Sequence, residues 1–129
     1  VLNEPDSPLA ERLWQNWLAN NVQPVAPFLF AFEITAVIRK VVYRGLLDPQ
    51  LGQEALKKAL AFNVSLQTFP EIHQNAWELA TQFNRPTAYD AHYLALAKNL
   101  GCEFWTADQR LFNAVQQQLS WVHWLGELT

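Results

Sequence analysis

The 129-residue sequence has no methionine, one cysteine and only four glycines. A lone Cys102 excludes an internal disulfide, and no CxxC or Cys/His ladder suggests structural zinc. Charged residues make up only 16%, and nine Lys+Arg against twelve Asp+Glu give a net charge of -3. That balance excludes a broadly basic nucleic-acid coat, though not a local basic patch. No run approaches the ~18 apolar residues of a membrane span. The longest, Val25 to Ile38, is interrupted by Pro27, Glu33 and Thr35. The first residues, Val1-Leu2-Asn3-Glu4-Pro5-Asp6, are acidic where a signal peptide would be positive. These absences make a cytoplasmic protein the expectation. No GxGxxG, P-loop or GxSxG motif occurs.

What is there is apolar: 50% hydrophobic residues, enough for a core in a chain of one-domain length. With no repeat, linker or low-complexity tract, residues 1-129 read as a single domain. Punctuation falls at Asn20-Asn21, Gly45, Asn63, Asn84-Arg85-Pro86 and Gly101. Between these marks, periodicity predicts helices over about Pro8–Leu18 (capped by Ser7), Leu29–Tyr43, from Asp48-Pro49 onward, Glu71–Phe83, Thr87–Leu100 and Gln109–Gln118. Short strands are predicted at Val22–Val25, Asn63–Thr68, Glu103–Thr106 and Ser120–Trp124. Strands separated by helices require crossover connections, hence an α/β sandwich with a mainly parallel sheet. Chemistry in such sheets collects beyond the carboxyl ends of the strands.

Three acids stand out. Asp108 follows a predicted strand two residues after Thr106; either residue also suits as cap of the next helix. Asp90 closes Thr87-x-x-Asp90, a capping-box spacing. Glu33 sits in Phe28-Leu29-Phe30-Ala31-Phe32-Glu33-Ile34, where a lone buried carboxylate costs several kcal/mol unless paired or metal-bound; Arg39, Lys40 and Arg44 are the candidate ion-pair partners. Together the three suggest a divalent-cation site, since clustered like charges need a hard cation. All-oxygen ligands favour Mg2+ or Mn2+ over zinc. The histidines offer less. His92 projects away from Asp90, while His73 and His123 have no acid or second histidine at metal spacing, so all three read as ordinary surface or interface residues. Cys102 reads as a small buried hydrophobe. Arg39, Lys40, Arg44 and Lys57-Lys58 suit either a solvated face or a phosphate backbone.

Phe32-Glu33-Ile34, then Thr87-Ala88-Tyr89-Asp90-Ala91-His92-Tyr93-Leu94-Ala95-Leu96-Ala97, then Trp105-Thr106-Ala107-Asp108-Gln109-Arg110-Leu111 resemble the PIN-domain family, more narrowly the VapC-type toxins of toxin–antitoxin systems. The resemblance covers the chain in order and spacing. It implies a three-layer Rossmann-like sandwich and a magnesium-dependent endoribonuclease inhibited by a cognate antitoxin, usually as a homodimer. By position, Glu33, Asp90 and Asp108 would be catalytic acids and metal ligands, with Thr106 orienting a ligand or water. The family opens with a strand carrying a further aspartate, and this chain starts at what resembles the segment after it. Asp6 and Glu4 fall too late in the pattern to replace that residue. The expectation is about a dozen further residues upstream, one strand and its turn. The rival reading is a catalytically incomplete PIN-like module that binds protein and dimerises. Seventeen aromatics, among them Trp14, Trp17, Trp77, Trp121 and Trp124, favour it. A small-molecule hydrolase ranks last, for want of a nucleophile motif.

Overall fold

Helix termination organises this chain. In the computed structural model, which describes residues 7–62 and 64–128, four helices end through the same device. A residue in the left-handed region follows the last turn, and the two amides there return to carbonyls three and five residues back. Asn21 (φ 56°) does this after helix α1 (Ser7–Ala19), with the Val22 amide on the Trp17 carbonyl at 2.8 Å. Gly45 (φ 75°) does it after α2 (Leu29–Tyr43), and Asn84 (φ 51°) after α4 (Ile72–Gln82). Gly101 (φ 67°) does it after α5 (Tyr89–Leu100). These are the residues that the sequence marks as punctuation. Helix α3 (Pro49–Ala61) starts as its Asp48-Pro49 signal predicts: the Asp48 carboxylate accepts from the Gln50 and Leu51 amides at 3.1 and 3.4 Å.

The strands are short. β1 is Val25–Pro27, not Val22–Val25, because the Val22 amide is spent closing α1. β2 is Ser65–Gln67, β3 Phe104–Thr106 and β4 Val122–Trp124. Helix α6 (Gln109–Val115) ends three residues before the predicted Gln118, and a 3-10 turn follows β4 at Leu125–Glu127. α1 begins at Ser7 itself, so its cap, like the acids Glu4 and Asp6 and the predicted strand start at Asn63, lies outside the described residues.

Both pairings are parallel, as helical crossovers require. β1 pairs with β2 (Val25↔Ser65) in a unit of residues 23–67 that holds α2 and α3. β3 pairs with β4 (Phe104↔Val122, Trp105↔His123, Thr106↔Trp124) in a second unit, residues 1–22 and 68–129. The fold is thus mixed α/β, with small parallel sheets flanked by helices.

The core of the second unit lies where α4 meets α5. Ile72, Ala76, Leu79 and Ala80 pack there with Ala91, Leu94 and Ala95, and Leu111, Phe112, Val115 and Val122 are buried beside the sheet. Small alanines on both helices allow close approach and leave Leu94 almost fully enclosed at 1% exposure.

The 23–67 unit differs. Helix α2 is apolar nearly all round, a pattern that fits an interior or an interface helix, and it has no fully buried residue. Phe32 and Tyr43 are 76% and 79% exposed. Apolar character this continuous marks an interaction surface when it is not enclosed.

Gly52 is the buried residue of α3, and a β-carbon there would run into the Val42 methyl on α2. A β-branched neighbour cannot swing away, so crowding outweighs the ~1 kcal/mol gain in helix propensity. Gly52→Ala is therefore expected to lower the urea midpoint, by a net loss of about 1 kcal/mol. A raised midpoint would show that α2 yields.

Candidate metal centre

The β3–α6 corner is built by two local hydrogen-bond sets. β3 ends at Thr106, whose Oγ1 accepts from the Asp108 amide at 3.0 Å. Asp108 then caps α6: its Oδ1 accepts from the Arg110 and Leu111 amides at 2.9 and 3.2 Å. Both cap bonds fall on one oxygen, so Oδ2 lies outside the cap. Capping and ion binding therefore do not compete for the same atom of this exposed side chain.

Asp90 occupies the first turn of α5 and is half-buried. The capping box expected from Thr87-x-x-Asp90 does not form. The helix starts at Tyr89, its cap position is Ala88 (φ −105°), and no side chain caps it. Capping thus gives no account of the carboxylate at residue 90.

Burial pushes the Asp90 carboxyl above the ordinary carboxylate range, and the negative charge of Asp108 pushes it further, while Arg85 opposes both. Asp90 thus feels the charge of Asp108, eighteen residues later in the sequence. Two hard oxygen donors whose repulsion a cation would relieve are the donor chemistry that Mg2+ or Mn2+ takes.

Glu33 lies on α2 in the 23–67 unit, half-buried, next to the exposed Phe32. Among the described residues, no three His, Cys, Asp or Glu side chains form a group able to hold a metal ion.

One reading of a single residue needs correction, and the histidines, exposed or half-buried as surface residues are, have partners that sequence spacing does not show. His73 Nδ1 lies 2.9 Å from His92 Nε2, and His92 Nδ1 lies 2.6 Å from the Ala88 carbonyl oxygen. His123 stacks on Trp105 and sits 3.6 Å from Glu103. No spacing could show the first pairing, which depends on how α4 packs against α5. The second follows from the strand register that puts Trp105 beside His123. Cys102 is half-buried, not enclosed, and its thiol is raised chiefly by burial, which keeps it a poor nucleophile.

No helix among the described residues is long and apolar enough to cross a membrane.

Comparison with known proteins converges on one family. The PIN domain model matches residues 6–117, a span that takes in all of the 23–67 unit and most of the other. VapC ribonuclease Mb0985 of Mycobacterium bovis is 33% identical over 92 residues, covering 71% of this chain and 70% of the relative. Ribonuclease VapC9 of Mycobacterium tuberculosis matches with the same identity and coverage. A corner that presents Asp108, a helix with Asp90 in its first turn and these matches agree: the chain belongs to the PIN-domain family and is a homologue of the VapC-type toxins.

Proposed function

We propose that this chain is the toxin of a VapC-type toxin–antitoxin pair, with a metal-dependent nuclease centre that its described residues leave incomplete. The observation that carries this is the half-buried Asp90, its carboxyl raised first by burial and then by the charge of Asp108, with no group of three ligating side chains among the described residues. Two carboxylates favour a protein-binding and dimerising module as the activity of these residues by themselves. The exposed Phe32, Tyr43, Leu46 and Trp77 support that reading, since aromatic and large aliphatic side chains are the anchors of protein interfaces.

RNA cleavage is the second reading, and the likeness to mycobacterial VapC ribonucleases favours it. In it, residues 1–129 make one PIN-like domain, a three-layer sandwich. Glu33 would be the third acid that the family resemblance implies, and the Thr106 hydroxyl would orient a ligand or water. Asp90 and Asp108 Oδ2 would hold the ion. Mg2+ bound there would neutralise charge at a phosphodiester and acidify a water molecule. The antitoxin would cover this centre or the apolar face of α2.

Manganese titration followed by electron paramagnetic resonance, run beside digestion of a labelled RNA and sedimentation of the same protein, tests the proposal. One saturable Mn2+ site, self-association and uncut RNA are expected. RNA cut in a magnesium-dependent manner would overturn incompleteness and establish the nuclease reading. No Mn2+ binding at all would remove the metal centre from both.

A further inference from the structure

A second cluster of metal-ligating atoms lies apart from the carboxylate pair in its chemistry. His73 stands in the first turn of α4 and His92 in α5, and their ring nitrogens Nδ1 and Nε2 are 2.9 Å apart. The rings meet edge to face, with centroids 5.1 Å apart and planes at 65°. A carbonyl only accepts, so the 2.6 Å approach of His92 Nδ1 to the Ala88 oxygen requires a proton on that nitrogen. The Nε2 lone pair of His92 is thereby free and directed toward His73. A histidine held by a backbone carbonyl on one nitrogen and offering the other is the usual setting of a metal-ligating imidazole.

We propose that His73 and His92 form a two-histidine site for a late first-row divalent cation, Cu2+ or Ni2+, that staples α4 to α5. The 2.9 Å separation is that of the hydrogen bond between the rings. Cis ligands with metal–imidazole bonds of about 2.0–2.1 Å at a right angle stand ~2.9 Å apart too, so an ion can replace the shared proton once the His73 ring re-aims, without the helices parting. Without an ion, His73 Nδ1–H donates to His92 Nε2. On binding, that proton leaves Nδ1 and a proton is taken up at Nε2 of the same ring, so the imidazole stays neutral and its Nδ1 lone pair turns to the metal. His73 is exposed, which lets its ring make that turn and lets water fill the remaining positions. Imidazole prefers Cu2+ and Ni2+ to Mg2+, so this site does not compete for the hard ion suited to the Asp90 and Asp108 oxygens.

The whole chain, titrated with Cu2+ alone and with Ni2+ alone by calorimetry, and with Cu2+ by electron paramagnetic resonance, tests this. One equivalent of Cu2+ with a two-nitrogen hyperfine pattern is expected. His73→Ala, at an exposed position, is expected to weaken binding at least ~10-fold. His123→Ala and Asp108→Asn are expected to bind as the parent does. His92→Ala should match His73→Ala, and if it unfolds the His73 variant still decides. A His73→Ala protein that binds Cu2+ like the parent, or loss of binding in His123→Ala, would overturn the proposal.

Discussion

Asp108→Asn is expected to weaken Mn2+ binding by about 10- to 100-fold while helix α6 stays capped. The separation is possible because the side chain does two jobs with different requirements. Capping needs an oxygen that accepts from the Arg110 and Leu111 amides, and an asparagine carbonyl supplies one as well as a carboxylate does. Holding a hard cation needs the charge, which asparagine lacks. Asp108→Ala removes both. It is expected to lose the ion and about 1 kcal/mol of stability as well. Circular dichroism melts beside a Mn2+ titration separate the cases. Equal destabilisation by Asn and Ala would mean that the charge at residue 108, not its hydrogen bonding, holds the corner.

Asp90→Asn is expected to weaken the ion by a similar 10- to 100-fold and, in the opposite direction, to stabilise the protein near neutral pH. Burial and the Asp108 charge raise the folded-state pKa of Asp90 above the ordinary 3.8. The unfolded chain therefore gives up this proton at lower pH than the folded protein does. The stability associated with Asp90 is full below about pH 3.8 and falls as pH climbs from there through the raised folded value. A neutral amide escapes that loss. Melting temperatures should place Asp90→Asn above the parent at pH 7, with the gap shrinking as pH drops toward 3. A variant melting below the parent at pH 7 would show that the ionised carboxylate is stabilising where it sits. Loss of ion binding together with gained stability is the behaviour of a group strained for function.

Much of this was legible in the chain because it is local. A left-handed residue after a helix is announced by Asn or Gly, and Asn21, Gly45, Asn84 and Gly101 each deliver one. Asp48-Pro49 and Asp108 announce their caps in the same way. Where a local signal competed with a neighbour, the reading slipped. Val22 has the β-branched character of a strand residue but closes α1, and Thr87 has the chemistry of a cap but stands two residues ahead of α5. The surface character of α2 was hidden because an apolar helix that is enclosed and one that awaits a partner share one pattern. The His73–His92 pairing was out of reach altogether, being a product of how two helices pack. For the candidate centre, Asp108 stood out by its place after a strand and Asp90 by its place at the start of a helix, and the structure adds the effect of the Asp108 charge on Asp90.

That coupling is the central claim, and a carbon-13 carboxyl NMR titration of Asp90 measures it directly. The prediction is a pKa above the ordinary carboxylate value in the parent protein, shifting downward in Asp108→Asn and again when Mg2+ is added to the parent. An Asp90 resonance that titrates at the same pH in the parent, in Asp108→Asn and in saturating Mg2+ would contradict the account.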